Sequence, residues 1–339
     1  MSAVRKLLLI TDAWSPQTNG VVTTYQHVVQ VLIARGIEVN VIHPGLFFSV
    51  PCPAYTEIRL SLNLWRLPEM IRNAAADAIH IAVEGPLGLA ARAYLNYRHQ
   101  SYTTSFHTKF PEYVHARLPF IPVKIGYRFM RWFHRNSQTV LVTTPSLRND
   151  LQQWGLNNLI VWTRGVDTQQ FDYQAGQKPD QKTPVFIYAG RVAVEKNIEA
   201  FLKLDLPGRK VVVGDGPSRQ RLQKQYPDVE FAGFQYGDDL ARYYAQANVF
   251  VFPSRTDTFG VVMLEAMAAG NPVAAYPVAG PIDVIKPGYS GCLDEDLQQA
   301  ALTALMLSPA DARQYAKQFS WQATADLFYQ NLHPVKKPA

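Results

Sequence analysis

The chain has 339 residues, of which 47% are apolar and 18% charged. This composition excludes a disordered or collagen-like protein and, at this length, predicts two globular domains. Lys and Arg outnumber Asp and Glu by 16 to 9 within residues 1–170, whereas the remainder carries 17 against 18. A basic first half and a near-neutral second half predict two surfaces with different partners.

The two cysteines and the N-terminal residues predict a soluble or peripheral cytoplasmic protein. Cys52 and Cys292 are too few and too far apart in sequence for a disulfide framework or a zinc site. So few cysteines suit a reducing compartment. A disulfide bond between the two stays open. The apolar run 7–10 is too short for a signal peptide or a membrane span, and no later stretch reaches about 18 apolar residues.

The first half predicts alternating strands and helices. A strand at 6–11, a helix from 20 to about 35 and a strand at 38–42 form a βαβ start. Three more strands, each followed by a helical pattern, are predicted at 78–81, 101–105 and 139–143. Such a series favours a parallel sheet with helical crossovers.

The second half repeats this pattern after a polar segment. Residues 171–183 predict a linker, further strands are predicted at 185–188, 210–213, 229–231, 249–252 and 272–275, and a helical stretch runs from about 311 to 332. The predicted fold is α/β, with two doubly wound Rossmann-like domains at 1–170 and 184–310 and a helical segment at 311–335 packing back on the first domain. Ligands bind such sheets beyond the carboxyl ends of the strands, so we expect a site in the cleft between the halves.

One cationic pair follows the predicted strand at 185–188. Gly190 turns the chain, and a helix beginning near Glu195 would place Arg191 and Lys196 together in the loop. Two cations in this position suit a pyrophosphate. The alternative is a pair of solvated surface bases.

A carboxylate pair follows the strand at 249–252. A helix beginning near Phe259 or Gly260 would direct its unpaired amides toward an anion such as a diphosphate. Asp257 and Glu265 would lie about 10 Å apart, too far to share a metal but suited to the hydroxyls of an extended ligand. The alternative makes Asp257 the helix N-cap and Glu265 a solvated helix residue.

The order of these motifs resembles that of the retaining nucleotide-sugar glycosyltransferases of family 4, which have the GT-B fold. The resemblance runs along the whole chain and includes Asn19-Gly20, Phe106-His107-Thr108, Thr144-Pro145-Ser146, Arg164-Gly165-Val166-Asp167, Val213-Gly214-Asp215-Gly216-Pro217 and Phe319-Ser320-Trp321. It implies transfer of a hexose with retention, by same-face attack of an acceptor hydroxyl.

The resemblance also implies roles for the donor-site residues. Arg191 and Lys196 would neutralise the donor diphosphate, and Glu265 would bind the ribose hydroxyls. Asp257 stands where the family has a glutamate that holds the sugar, which leaves the choice of sugar open. The implied donor site comprises Asn19, Gly20, Gly190, Arg191, Lys196, Asp257, Thr258, Phe259, Gly260, Val261, Val262 and Glu265.

His107 follows a predicted strand, and the resemblance implies that it reaches the donor sugar near the reacting carbon. We therefore place it with Arg191, Lys196 and Asp257 as catalytic, the alternative being a structural histidine. Lys109 stands where the family commonly has an acidic residue.

No cofactor or catalytic metal is expected. The acidic run 294–296 precedes a helical stretch and predicts a helix start rather than a metal site. The run 214–216 lacks the third glycine of a dinucleotide-binding motif.

The acceptor side of the prediction depends on a basic helix. Lys124, Arg128, Arg131 and Arg135 are spaced four, three and four residues apart and share one helical face, beside Ile125, Phe129, Trp132 and Phe133. Such a helix is typical of a contact with an anionic membrane, which we assign to Lys124, Arg128, Arg131, Trp132 and Arg135. The alternative is an ordinary amphipathic helix packed on one side.

Segments 50–60 and 110–119 resemble members that glycosylate membrane lipids, including bacterial diacylglycerol glycosyltransferases. The predicted function is transfer of a hexose from a UDP- or GDP-sugar to a lipid hydroxyl, at the inner face of a bacterial cytoplasmic membrane. Alternatives are a GDP-mannose-dependent mannosyltransferase acting on a glycan or polyprenyl-linked acceptor, a non-catalytic sugar-nucleotide-binding module, and an epimerase of the same fold. No nucleic-acid partner is expected, because no recognisable binding module accompanies the sequence pI of about 9.2.

Overall fold

The structure, a computed structural model, describes residues 4–17, 19–52, 55–118, 120–172, 178 and 182–335, with the side chains of 55–58, 116 and 117 excepted. The chain divides into two compact units. Unit 1 comprises Met1–Arg164 and Trp321–Ala339, and unit 2 comprises Gly165–Ser320. The division follows Arg164, whereas the sequence placed it at residue 170. Most of the predicted linker lies outside the described residues.

The strands, in chain order, are β1 (Lys6–Ile10), β2 (Glu38–Ile42), β3 (Ser49–Cys52), β4 (Tyr55–Ser61), β5 (Ala78–Ile81), β6 (Thr103–Phe106), β7 (Val140–Val142), β8 (Leu159–Val161), β9 (Val185–Ala189), β10 (Arg209–Val213), β11 (Glu230–Gly233), β12 (Val249–Phe252), β13 (Val273–Ala275) and β14 (Gly291–Leu293).

The α-helices are α1 (Gly20–Ala34), α2 (Leu67–Ala74), α3 (Pro86–Tyr97), α4 (Phe110–Arg117), α5 (Val123–His134), α6 (Pro145–Gln153), α7 (Ile198–Leu202), α8 (Arg219–Gln225), α9 (Gly237–Ala245), α10 (Val261–Ala268), α11 (Pro281–Val284), α12 (Leu297–Leu305), α13 (Pro309–Ala316) and α14 (Trp321–Gln330). Short 3₁₀ turns lie at Pro44–Leu46, Leu64–Arg66 and Val194–Lys196. Among the described residues, no helix has the length and hydropathy that a membrane crossing requires.

Each unit contains one six-stranded parallel sheet. The strand order is β2-β1-β5-β6-β7-β8 in unit 1 and β11-β10-β9-β12-β13-β14 in unit 2. The order therefore reverses between β1 and β5 in the first sheet and between β9 and β12 in the second. Ligands of doubly wound sheets bind outside the carboxyl ends of the strands at this reversal. The predicted α/β fold with two doubly wound Rossmann-like halves is confirmed.

Both sheets are buried on both faces, as parallel sheets require. In β1, Leu7 and Leu9 pack with α1, while Leu8 and Ile10 pack with the side chains of α2 and α3. In β9, Ile187 packs with α10 and α13, and its neighbour Phe186 packs with α7 and α12. Alternate residues thus fill opposite layers, which explains the continuous apolar runs of the sequence.

The helical stretch predicted from about 311 to 332 consists of two helices, α13 and α14. Between α13 and α14 the carbonyl of Phe319 accepts a hydrogen bond from the Val166 amide (3.0 Å), which draws the chain out of the helix. α13 belongs to unit 2 and α14 to unit 1. On unit 1 the ring of Trp321 stacks on His27 at 4.4 Å, and Trp162 Nε1 donates to the Thr324 carbonyl (2.9 Å).

Of the strands that the sequence did not predict, β3, β8 and β14 are short or contain proline, whereas β4 has seven residues and no proline. β8 and β14 have three residues each, too few to show a periodic pattern. β3 and β4 form an antiparallel hairpin in which Pro51 lies opposite Arg59, and proline weakens a strand pattern. This hairpin follows β2, so it belongs to the segments at the carboxyl edge of the unit 1 sheet.

Candidate active site

Two loops meet where the strand order of unit 2 reverses. The loop after β9 contains Gly190, Arg191 and the 3₁₀ turn Val194–Lys196, and the loop after β12 contains Asp257. The side chain of Asn197 donates to the Pro253 carbonyl at 3.1 Å and holds the two loops together. The helix predicted near Glu195 is instead this 3₁₀ turn, because Asn197 adopts a left-handed conformation (φ 53°) before α7 begins.

The cationic pair of this site is partly buried and faces carboxylates. Lys196 Nζ forms an ion pair with Asp257 Oδ1, and Arg191 Nε lies 3.9 Å from Glu195 Oε1. These contacts exclude the alternative of two freely solvated bases. The loops therefore hold two positive charges beside the carboxyl ends of β9 and β12, the position at which a doubly wound sheet binds phosphates.

One carboxylate oxygen of Asp257 is available to a ligand. Its Oδ1 is engaged by Lys196, but Oδ2 is buried and has no hydrogen-bond partner among the residues that the structure describes. A buried carboxylate oxygen without a donor is costly, so such an atom points to a ligand that supplies one. Asp257 is not the N-cap of α10. Gly260 occupies that position with φ 83°, and no side chain caps the helix.

Glu265 lies within α10 and is not a solvated helix residue. Its Oε2 accepts a hydrogen bond from the hydroxyl of Tyr244 at 3.2 Å. Burial raises the pKa of the Glu265 carboxyl to about 7. Tyr244, which lies on α9 and is fully buried, was not found from the sequence because it belongs to no motif.

The remaining predicted donor residues surround the start of α10. Thr258 and Phe259 are buried, and Val261 and Val262 form the uncapped first turn, whose amides have no partner within the helix. Close backbone approach explains two glycines of this region. A Cβ on Gly214 would lie 1.9 Å from the Gly190 carbonyl oxygen, and one on Gly280 would lie 2.6 Å from the Asp257 carbonyl oxygen.

His107 is buried at the end of β6 in unit 1, within a polar cluster. Its Nδ1 lies 2.9 Å from Arg164 Nη2, and its Nε2 lies 3.1 Å from the Tyr25 hydroxyl. Burial, followed by the nearby Arg164 charge, holds the pKa of His107 well below its usual range. Lys109 is paired with Asp150 at 2.9 Å, so the cation that departs from the family pattern is neutralised within the unit. Arg164 and Tyr25 had no assigned role in the sequence analysis.

Asn19 is the N-cap of α1. Its Oδ1 accepts hydrogen bonds from the amides of Val21 (3.0 Å) and Val22 (3.1 Å), and Gly20 is the first residue of the helix. Both are exposed. Their approach to a donor stays a prediction.

The basic helix predicted for the acceptor side is α5. Lys124, Arg128, Arg131 and Arg135 are all exposed. In the part of unit 1 that is described, none of the four lies within ion-pair distance of a carboxylate. Its buried face comprises Tyr127, Met130, Phe133 and His134.

The apolar face predicted for α5 is thus divided, with Phe133 inside the unit. Ile125 (59% exposed) and Trp132 (45%) lie on the solvent side with the cations.

The acidic run before α12 forms a helix start, as predicted. Asp296 Oδ1 accepts from the amides of Gln298 (2.9 Å) and Gln299 (3.3 Å), while Asp294 Oδ1 accepts from the amide of Asp296 (2.9 Å). Elsewhere too, the described side chains form no group of three His, Cys, Asp or Glu residues that could hold a metal ion.

Two family models match this chain. The model described as Glycosyltransferase Family 4 matches residues 18–170, and the one described as Glycosyl transferases group 1 matches residues 183–310. The chain belongs to the family 4 glycosyltransferases and has the GT-B fold. In structure, it resembles sucrose-phosphate synthase from Thermosynechococcus elongatus, with a TM-score of 0.76 and 21% identity, over 96% of this chain and 98% of that one.

Several named relatives cover most of this glycosyltransferase. It is 30% identical over 323 residues to sulfoquinovosyl transferase SQD2 from Arabidopsis thaliana, covering 86% of this chain but only 63% of the relative's length. It is 29% identical over 315 residues to a GDP-mannose-dependent alpha-mannosyltransferase from Mycobacterium tuberculosis, covering 85% and 83%. Identity is 24% over 371 residues to alpha-monoglucosyldiacylglycerol synthase from Streptococcus pneumoniae, covering 96% and 84%.

Proposed function

We propose that this glycosyltransferase transfers a hexose from a UDP- or GDP-sugar to a hydroxyl group of a membrane lipid such as diacylglycerol, with retention and without a metal. One observation carries the proposal. Arg191 and Lys196 lie at the strand-order reversal of unit 2, beside an Asp257 carboxylate whose buried Oδ2 has no partner among the described residues. Cations that suit a diphosphate lie beside a carboxylate oxygen that suits a sugar hydroxyl, a combination that matches the chemistry of a sugar diphosphate.

Each group of this site has a role in the proposed reaction. The donor diphosphate lies against Arg191, Lys196 and the uncapped amides at the start of α10, which stabilise the charge that builds as the glycosidic bond breaks. Asp257 Oδ2 accepts from a hydroxyl of the transferred sugar. Glu265, which already accepts from Tyr244, accepts from the ribose hydroxyls. Two fixed cations supply the charge stabilisation that a divalent metal would otherwise provide, which supports metal independence.

The proposed chemistry needs no enzymic nucleophile. The bond between the anomeric carbon and the diphosphate oxygen breaks through an oxocarbenium-like state. The acceptor oxygen bonds to the same carbon from the same face, and its proton passes to the departing diphosphate oxygen. The names of two relatives specify an alpha configuration. They support the expectation that the product here has one defined configuration at the anomeric carbon.

Exposed apolar side chains near the carboxyl edge of the unit 1 sheet support a lipid acceptor. In the β3–β4 hairpin Val50 pairs with Leu60, and the Leu62 amide donates to the Phe48 carbonyl (2.9 Å). These four side chains share one face because strand residues alternate, and Phe48 is 76% exposed. Nearby Trp65 is 78% exposed. Apolar patches of this kind mark interaction surfaces.

The exposed cations of α5 complement this hairpin in the proposal. Exposed Arg and Lys beside exposed Trp and Ile suit the headgroup region of an anionic bilayer. The named synthase of diacylglycerol glycolipids is consistent with such an acceptor. We therefore propose that the enzyme works as a peripheral protein on an anionic membrane surface.

A second candidate is a GDP-mannose-dependent mannosyltransferase acting on a glycan or polyprenyl-linked acceptor. The mycobacterial relative, which bears a GDP-mannose-dependent name and is 29% identical, favours it. The two candidates share the donor-site chemistry and differ in base, sugar and acceptor.

A donor and acceptor matrix tests the proposal. UDP- and GDP-linked hexoses are incubated with diacylglycerol in mixed micelles, with and without EDTA, and products are analysed by mass spectrometry and by NMR of the anomeric proton. We expect a glycosyl-diacylglycerol of retained configuration and no effect of EDTA. Product from GDP-mannose with a polyprenyl or glycan acceptor only would establish the second candidate. Donor binding without transfer to any acceptor would indicate a non-catalytic module.

A vesicle sedimentation assay tests the membrane surface separately. The double variant R128E/R131E should lower binding to anionic vesicles by roughly tenfold or more, since each basic residue near such a surface contributes about 1 kcal/mol. The control R72E/R98E makes the same charge change on exposed arginines of unit 1 and should bind as the wild type does. F48S/W65S should weaken binding at high salt as well. Equal losses in the charge variant and its control would reject α5 as the contact.

A further inference from the structure

The polar cluster around His107 forms a continuous chain of hydrogen bonds inside unit 1. Arg164 contacts His107, His107 contacts the hydroxyl of Tyr25, and that hydroxyl lies 2.8 Å from His80 Nε2 and 2.7 Å from Ser105 Oγ. All five side chains are buried. The family match assigns no role to Arg164.

Arg164 determines where the proton of His107 lies. A guanidinium only donates hydrogen bonds, so His107 Nδ1, 2.9 Å from Arg164 Nη2, must accept. The imidazole is then neutral and carries its proton on Nε2. That Nε2–H donates to the Tyr25 oxygen at 3.1 Å.

The rest of the chain agrees with this direction. With its hydrogen directed at the Ile79 carbonyl (3.5 Å), Thr103 Oγ1 has lone pairs free to accept from His80 Nδ1–H at 2.8 Å. His80 Nε2 is therefore an acceptor, served by the Tyr25 hydroxyl directly (2.8 Å) or by Ser105 Oγ (2.7 Å). Every donor points from Arg164 toward the backbone carbonyl of Ile79, and burial lowers the pKa of His80 to about 3.

Arg164, the cation that fixes this direction, is surrounded by backbone carbonyls and an aromatic ring. Arg164 donates to the carbonyls of Trp162 (2.7 Å) and Thr163 (3.1 Å), and its guanidinium lies 4.3 Å from the centre of the Trp162 ring. Within the described part of unit 1 no carboxylate lies at ion-pair distance from it. Burial lowers its pKa only to about 10, so the group stays protonated at neutral pH.

The other titratable groups near His107 do not reverse this arrangement. His134 contributes to the low pKa of His107 by its charge, and its own Nε2 faces Glu84 Oε1 at 3.1 Å while its Nδ1 faces Thr104 Oγ1 at 2.8 Å. Glu84 acts electrostatically on Tyr25, more weakly than Arg164.

We propose that Arg164 is a positioning residue that holds His107 as a neutral imidazole protonated on Nε2, so that His107 exchanges no proton during glycosyl transfer. The inference rests on the proposed function and on the expectation, implied by the resemblance to family 4, that His107 reaches the donor sugar. Both ring nitrogens are bonded inside unit 1, which leaves neither to accept the acceptor's proton. That proton therefore passes to the departing diphosphate oxygen.

The tautomer is measured on the free protein, without donor or acceptor. Long-range ¹H–¹⁵N NMR of histidine-labelled protein, with His107 identified by its loss in H107Q, reports the protonation of each ring nitrogen. We expect a neutral Nε2–H form throughout pH 5–8. R164M, an apolar replacement that leaves no buried charge, should keep the ring neutral, because burial is the larger cause of the low pKa of His107, but it should let the Nδ1–H tautomer appear. R164K should restore the Nε2–H form. A doubly protonated or Nδ1–H ring in the wild type, or an unchanged spectrum in R164M, would overturn the proposal.

A matched control separates positioning from general damage to unit 1. Arg92 is another buried arginine, but it donates to the carbonyls of Trp132 (2.7 Å) and Phe133 (2.8 Å). R92M should leave the His107 spectrum and the shape of the pH profile unchanged, whatever it does to stability. Loss of the Nε2–H form in R92M as well would show that any disturbance of the unit has this effect.

Kinetics then test the link to catalysis. In wild type the pH profile of kcat should show no His107 limb. R164M should lose kcat by roughly ten- to a hundredfold across the pH range, because part of the protein then holds the wrong tautomer. A normal tautomer with no transfer activity in any donor–acceptor pair would reject the proposed function but not the positioning of His107. An Nδ1–H ring of His107 in R164M with an unaltered kcat would reject its role in transfer.

Discussion

The loop cluster of unit 2 and the His107 cluster of unit 1 handle buried polar groups in opposite ways. Around Lys196 and Asp257 the groups are charged, and one carboxylate oxygen lacks a partner among the described residues. Around His107 both ring nitrogens are bonded and the imidazole is neutral. An unsatisfied charged group is prepared for a ligand, while a satisfied neutral network fixes geometry. The following variants test that contrast.

Lys196→Met should have the largest effect. It removes a fixed cation from the proposed diphosphate site and leaves Asp257 without its ion pair, so we expect kcat/KM to fall by roughly 10²–10³-fold, as for other lost charge-stabilising donors. Initial rates with the active donor measure it. The control K203M changes an exposed lysine that pairs with Glu199 on α7 and should keep wild-type rates. A K196M enzyme within about threefold of wild type would remove Lys196 from the mechanism.

Gly214→Ala should destabilise unit 2. Its Cβ would lie 1.9 Å from the Gly190 carbonyl oxygen at φ 137°, and combined clash and strain should cost about 3 kcal/mol in the free energy of unfolding. Urea denaturation measures the loss. Gly288→Ala has a similar positive φ of 74° with nothing within 4 Å, so it should cost about 1 kcal/mol. Equal losses at both sites would show that loop contact does not matter at Gly214.

Tyr25→Phe should weaken unit 1 without altering donor binding. It deletes the hydroxyl shared by His107, His80 and Ser105, and the buried partners left behind should cost about 1–3 kcal/mol of stability. Calorimetric unfolding and nucleotide titration measure the two effects. Tyr97→Phe, at an exposed side chain, serves as the control and should change neither. A large loss of nucleotide affinity in Y25F would contradict a purely positioning network.

Glu265→Gln should have the smallest effect. We expect it to lower the affinity for nucleotide by about tenfold at pH 8. Ribose hydroxyls donate better to the ionised carboxylate, so wild-type affinity should rise as pH passes through about 7, the raised pKa of Glu265, and calorimetry should show proton release. E265Q should lack both features. A pH-independent wild-type affinity would contradict a role for this carboxylate at the ribose.

E265Q, which should lower nucleotide affinity, should raise the stability of the folded protein at pH 8. The folded pKa of Glu265 is raised from 4.5 to about 7, so its contribution is fully present below pH 4.5 and is lost as pH rises through 7. E265Q should therefore unfold at a higher temperature than wild type at pH 8, though it binds nucleotide less well. A lower unfolding temperature at pH 8 would mean that Glu265 is a stabilising group.

Local patterns allowed much of the fold to be predicted, but not the partners of the site residues. Strand–loop–helix periodicity gave both parallel sheets, and the acidic run before α12 gave its N-cap. The helix expected at Glu195 became a 3₁₀ turn because Asn197 turns left-handed where its side chain reaches Pro253. Tyr244 and Arg164 were not assigned to the sites because their contacts depend on strands and helices distant in sequence.

The sequence by itself determined the alternation of strands and helices, the family and the positions of the cationic and acidic motifs, since all of these depend on spacing between near neighbours. Only the tertiary structure decided which charges meet. Burial beside Tyr244 sets the pKa of Glu265, and the contact with Arg164 sets the proton of His107. Protonation depends on desolvation and on donors brought together by folding, and neither quantity is encoded in the spacing of a motif.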